Sequence, residues 1–372
     1  MKKSMNKRCI VMMLVMAVTI NTATVFAQQT HTLDFITVLE TPQKQNAIEL
    51  TLEEATQKAL TRSTTLKNNN MDLNISEQKL EDEENNIASG HTFQQLLQYI
   101  KQNADYASSK LSREVTEENV KFSLKQVYID IINKEREIVL LEKSIQNTEK
   151  ELLITKTKSK LGLISEQELQ SQLLNYQKAL ENVQQQQMNV QTAYQSLAKL
   201  IDVDVDKNYQ LILEPVYEPL EMELSLETYI KSKINTDPNI KQKQINLDTV
   251  TAEAKFTHSS VPDTVTADEE ADNSVAKAEL SLSDEKANLK TKIESCYDSI
   301  IKLETNYQNN LLELETLKQQ LTITQKKYEL QQNTELDVLK AEQSVAEKES
   351  EIISQIYEHM LLIEQFENSY LL

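Results

Sequence analysis

The residues that could do chemistry are mostly acidic, and the spacing closest to a ligand set is Asp202-Val203-Asp204-Val205-Asp206. A calcium loop of the EF-hand type needs glycine at its sixth position and a bidentate glutamate at its twelfth. Counted from Asp202, those positions hold Lys207 and Leu213, so the run reads as a polar turn or short strand. His31, His91, His258 and His359 are scattered, with no partner at a zinc-ligand spacing. His359 falls on an apolar stripe and reads as a core or pore-facing residue. Cys296 lies seven residues from both Leu289 and Leu303 and reads as a small buried apolar side chain. No Gly-x-Ser-x-Gly elbow, phosphate loop or dinucleotide fingerprint occurs, and a chain with two glycines cannot build one. The sequence therefore predicts a protein that is not an enzyme, with no cofactor and no metal. The acidic runs 81–84 and 268–270 read as solvated faces; lining a duct, they would favour cationic substrates.

What remains is architecture. Two glycines, five prolines and no tryptophan predict an all-α chain with little or no β structure. Leu124, Ile131, Ile138, Ile145 and Leu152 recur every seven residues, as do Leu169, Tyr176, Val183, Val190 and Leu197. A second register, Leu173, Leu180, Tyr194 and Ile201, accompanies the later arm, which is the mark of a coiled-coil seam. Between the arms, Leu161-Gly162-Leu163-Ile164-Ser165 supplies a turn. The stretch 121–201 is thus predicted to be a long antiparallel hairpin with its tip near 162.

Residues 1–27 read as a signal peptide: Lys2, Lys3, Lys7 and Arg8, an apolar run over 10–20, and cleavage after Val25-Phe26-Ala27. Export is expected. Removing those four positive charges takes the net charge from -19 to -23, which makes nucleic acid an unsuitable partner. Residues 28–47 read as an extended or disordered lead-in, and Thr51 with Glu54 reads as a capping box opening a helix. Residues 88–113 read as a short helical connector, 202–223 as a linker bounded by Pro215 and Pro219, and 257–274 as a polar loop.

At Glu223-Leu224-Ser225-Leu226-Glu227 the pattern of Glu49-Leu50-Thr51-Leu52-Glu53 restarts at an offset of 174. The chain therefore divides into repeats at 48–201 and 224–372. In the second, Ile293, Ile300, Tyr307, Leu314, Leu321 and Tyr328 form one arm and Val338, Val345, Ile352, His359 and Phe366 the other. The turn near 331 replaces glycine with Gln331.

The repeated openings, paired hairpins and tips at Leu161-Gly162-Leu163-Ile164-Ser165 and Tyr328-Glu329-Leu330 resemble the TolC-like outer-membrane efflux protein family. The resemblance covers nearly all of 48–372. It implies a homotrimeric helical barrel through which substrates leave the cell, and hairpin tips that dock a periplasmic-type adaptor (membrane fusion) protein serving an inner-membrane pump. The docking residues it implies are Leu161, Gly162, Leu163 and Ser165, with Leu330 and Thr334 in the second repeat. One departure stands out: where that family inserts membrane-spanning strands, at about 88–113 and 255–276, neither region holds two alternating apolar segments of the ~9–11 residues each that spanning strands need. A helical duct without its membrane barrel is expected, in an outer membrane or periplasm, or in the wall space of a single-membrane cell. The competing expectation is an exported coiled-coil interaction protein without channel activity.

Overall fold

The computed structural model describes residues 47–88, 92–204, 207–260 and 265–372. The expected signal peptide and most of the lead-in, together with His31, Gly90, His91, Val205 and Asp206, lie outside the described residues. Among the described residues eight α-helices follow in order: α1 (Leu52–Arg62), α2 (Thr64–Ala88), α3 (Phe93–Lys160), α4 (Glu166–Ile201), α5 (Leu226–Thr236), α6 (Pro238–Ser260), α7 (Val265–Glu329) and α8 (Glu335–Glu367). Two four-residue strands, β1 (Ile48–Thr51) and β2 (Tyr209–Ile212), pair in parallel, with Ile48 opposite Tyr209 and Thr51 opposite Ile212.

The offset of 174 recurs in the three-dimensional structure. Both α1 and α5 are 11 residues long, and their N-caps, Thr51 and Ser225, accept from the backbone N–H three residues on. Each short helix ends at a residue that caps its successor: Ser63 Oγ accepts from Leu66 N–H at 3.2 Å, and Asp237 Oδ1 from Ile240 N–H at 3.3 Å. Leu66 and Ile240, which the duplication aligns, are both buried.

Two expectations need correction. The connector at 88–113 is not a separate element: with no Gly or Pro between 93 and 160, α3 continues as one helix of 68 residues, about 100 Å long at 1.5 Å per residue. The polar loop at 257–274 is also largely helical, since α6 runs to Ser260 and α7 begins at Val265. Polarity there marked a solvated helix, and the helix breaker Pro262 falls in 261–264, outside the described residues.

The helices form a layer one helix thick. In the half containing the hairpin tips, α3 packs on α4 and on α8, and α8 on α7, so the order is α4-α3-α8-α7; in the other half it is α2-α3-α6-α7. The heptad residues supply the seams: Leu124, Ile131, Leu197, Ile293, Ile300 and Ile352 are buried. At mid-height the strands and the strap that follows them are pinned to one face. Tyr128 Oη donates to the Leu50 carbonyl (2.5 Å) and accepts from Ile212 N–H (2.7 Å), and Tyr357 Oη donates to the Leu213 carbonyl (2.7 Å). Tyr217 stacks on Tyr307 at 4.0 Å, beside buried His359. His359 Nε2 lies 2.9 Å from Glu304 Oε1, which also accepts from Leu220 N–H at 2.6 Å. His359 is therefore a core residue holding the strap.

Candidate functional site

The two hairpin turns have the same construction. In the first, Leu161 caps α3, Gly162 adopts φ +68°, Gly162 N–H donates to the Ser159 carbonyl (2.9 Å) and Leu163 N–H to the Lys158 carbonyl (2.9 Å). In the second, Leu330 follows α7, Gln331 adopts φ +58°, and Gln331 and Gln332 N–H donate to the carbonyls of Tyr328 and Lys327, both at 2.8 Å. Both are Schellman closures, which satisfy helix-end carbonyls through one left-handed residue. Glycine adopts that conformation freely, whereas Gln331 adopts it under strain.

The next helix then starts from a hydroxyl cap. Ser165 Oγ accepts from Glu168 N–H (3.2 Å), and Thr334 Oγ1 from Asp337 N–H (3.3 Å). Asp337 Oδ2 accepts in return from Thr334 N–H (2.8 Å), which holds its carboxyl below the usual range. Lysines 158, 160, 326 and 327 end the incoming helices, while Glu166, Glu168, Glu335 and Asp337 begin the outgoing ones, each sign complementing the helix dipole.

These local rules place apolar side chains where water should repel them. Leu161, Leu163 and Leu330 are 67%, 69% and 68% exposed. Gly162, Ser165 and Thr334 shape the turns, and the leucines form their outer surface. The two tips belong to adjacent hairpins, because α3 packs on α8. Across that seam Asn147 donates to Gln343 Oε1 (2.5 Å), Lys150 pairs with Glu335 (2.5 Å), and Lys340 pairs with Glu151. Glu151 also accepts from Gln172 of α4 (2.9 Å); the Lys340 contact, followed by that of Gln172, lowers its pKa. Glu151 thus ties three helices together just behind the tips.

A second surface is the pair of free edges of the layer; the second register, read in the sequence as a face for the next copy, does not form it throughout, because Tyr194 and Ile201 are buried within the chain. Across α4 from buried Val183, Tyr194 and Leu197 lie exposed Leu174 and Met188; across α7 from buried Ile300, Tyr307 and Leu314 lie exposed Leu312 and Ile323. Rungs across the layer fix their heights. Gln186 reaches the Lys134 carbonyl (3.3 Å), Arg136 the Ser350 carbonyl (3.4 Å) and Lys348 Glu313 (2.8 Å), which puts Met188 level with Tyr307, about one and a half turns from Leu312. Nearer the tips, Glu151 joins Gln172 to Lys340, and the short second turn sets Lys340 opposite Thr324, which puts Leu174 level with Ile323. The sequence signal for this surface was an apolar residue opposite the heptad stripe.

At the end remote from the tips, Phe93 stacks on Phe256 at 5.4 Å and Lys101 pairs with Glu253 (2.6 Å). Only residues 89–92 join α2 to α3, and only 261–264 join α6 to α7. Among the described residues, no helix is long and apolar enough to cross a membrane, and no group of His, Cys, Asp or Glu is placed to hold a metal.

No family model matches the sequence, and no curated protein matches it. Solved structures do. The Campylobacter jejuni CmeC outer membrane channel is 13% identical, with a TM-score of 0.63 over 86% of this chain and 85% of that one. The outer membrane protein VceC of Vibrio cholerae is 10% identical, with a TM-score of 0.64 over 85% and 96%. The open-state MtrE outer membrane channel of Neisseria gonorrhoeae is 13% identical, with a TM-score of 0.62 over 86% and 88%.

Proposed function

We propose, from the fold this chain shares with TolC-like outer-membrane channels, that it is the duct component of an export assembly in the cell envelope. Copies stand side by side, the α4 edge of one against the α7 edge of the next, and close into a hollow ring, three by family resemblance. An adaptor chain docks on the tips through Leu161, Leu163 and Leu330, on turns shaped by Gly162, Ser165 and Thr334, and couples the duct to an inner-membrane pump. The protein performs no catalysis; it provides a path.

The observation carrying this reading is the pair of free edges with exposed apolar residues, among which Leu174 and Ile323 stand at matching heights. A layer one helix thick leaves both edges wet, and head-to-tail contact between copies buries them while generating a closed ring. Burying four large apolar side chains at each joint contributes on the order of several kcal/mol. The test is a Leu174→Cys, Ile323→Cys double variant under mild oxidation. The expected product is a ladder of covalent oligomers that stops at the ring size, with neither single variant giving it. A folded double variant that forms no product between copies contradicts the ring.

A second reading, a coiled-coil interaction protein without channel activity, draws on the remote end. The two connections there, of four residues each, are shorter than one spanning strand, which takes ~9–11 residues. A helical protein that stays monomeric under all conditions would favour it.

A further inference from the structure

The two tips are built alike but do not stand at the same height. α3 and α8 run antiparallel, and four contacts near the tips set their register: Asn147 with the Leu339 carbonyl (3.5 Å), Asn147 with Gln343 (2.5 Å), Lys150 with Glu335 (2.5 Å) and Lys340 with Glu151. Glu335 is the first residue of α8, whereas α3 continues past Lys150 to Lys160. Averaging these contacts places the start of α8 level with a point about seven residues short of the end of α3, so the first tip stands roughly 10 Å beyond the second. Higher in the seam, Asn133 with Ser354 (3.3 Å) and Lys125 with Glu364 keep the same register, so the offset is a property of the whole seam.

The projecting part is also the more apolar. It ends in Leu161 and Leu163, and nothing else among the described residues covers them. The second tip offers Leu330 as its one exposed turn leucine, set back beside the wall of the first hairpin. We infer that the tips are unequal in docking: the first makes the partner contact end-on, through Leu161 and Leu163, while the recessed second tip takes no part in the initial contact. This rests on the docking reading above. The partner is the adaptor chain of that reading, meeting the tip through an apolar surface of its own, because the projecting turn offers Leu161 and Leu163.

The test places a photo-crosslinking residue at Leu163 or at Leu330 of the full chain, expressed in its own cells, and identifies adducts by mass spectrometry. The expected result is an adduct from position 163 with one exported chain of different sequence, and loss of that adduct from position 330. A variant with one heptad inserted in each arm of the second hairpin, which keeps the seams in register and raises that tip by roughly 10 Å, should restore the adduct at 330. Equal yields at the two positions in the parent chain, or a stronger yield at 330, overturn the inequality. An adduct at neither position removes the docking reading itself, and a 163 adduct with a second copy of this chain shows that tips meet tips instead.

Discussion

The two turns provide a matched comparison in which one residue decides the energy. Gln331 holds φ +58° where the first turn has Gly162 at +68°. The left-handed conformation costs an ordinary L-residue about 1–2 kcal/mol. Replacing Gln331 with glycine removes that cost, but the freer unfolded chain takes back about 0.4–1 kcal/mol. The net expectation for Gln331→Gly is a local stabilisation of about 0.5–1 kcal/mol, or about two- to five-fold in the closing equilibrium. The reverse change is equally well defined. A Cβ added at Gly162 meets nothing within 4 Å, so Gly162→Ala pays only the conformational cost and opens its turn by a similar factor. Native-state hydrogen exchange reads both through the Schellman amides, Gln332 N–H to the Lys327 carbonyl and Leu163 N–H to the Lys158 carbonyl. Exchange should slow at Gln332 in the first variant and quicken at Leu163 in the second. Unchanged exchange at Gln332 together with unchanged exchange at Leu163 would refute the strain argument.

Tyr128→Phe leaves the Ile212 N–H and the Leu50 carbonyl without their buried partner; it should destabilise the strap by about 1–3 kcal/mol, and an unaltered denaturant midpoint would show that the strap is held otherwise. Acid should loosen the arms behind the tips through Glu151. Its folded pKa lies below the ordinary 4.5, so its contribution is complete above that value and is lost as the pH falls through the lower folded one. Glu151→Gln should weaken the seam at neutral pH and blunt that acid step in limited proteolysis; an undiminished step in the variant assigns it to another group. Burial pushes the Cys296 thiol up to about 11, so a maleimide at pH 7 should label it only as the chain unfolds, and rapid labelling of the folded protein would place it at the surface.

The buried seams were legible in the sequence because a seven-residue repeat states which side of a helix is covered. Ile293, Ile300, Val345 and Ile352 are buried as their spacing required, and the Thr51–Glu54 capping box forms. Gln331 was also identifiable as the counterpart of Gly162, since the hairpin geometry demanded a turn there. The stagger of the tips was not legible. A heptad pattern fixes which face meets the neighbour, but not which rung meets which; polar pairs such as Asn147 with Gln343 and Lys150 with Glu335 set that, and their partners lie nearly two hundred residues apart. The β1–β2 pairing escaped for a related reason, because four-residue strands carry too little alternation to stand out and their register depends on Tyr128, a helix residue. The polar stretch after Val265 was misjudged because a solvated helix and a loop share the same composition.

The central claim is that the open edges close on other copies of the chain, and the mass of the purified protein in solution, measured by light scattering on a sizing column, tests it most directly. The account predicts a single species at a whole-number multiple of the chain mass, three by family resemblance, held across a wide concentration range. A monodisperse monomer over that range, with its helix content intact, would contradict it.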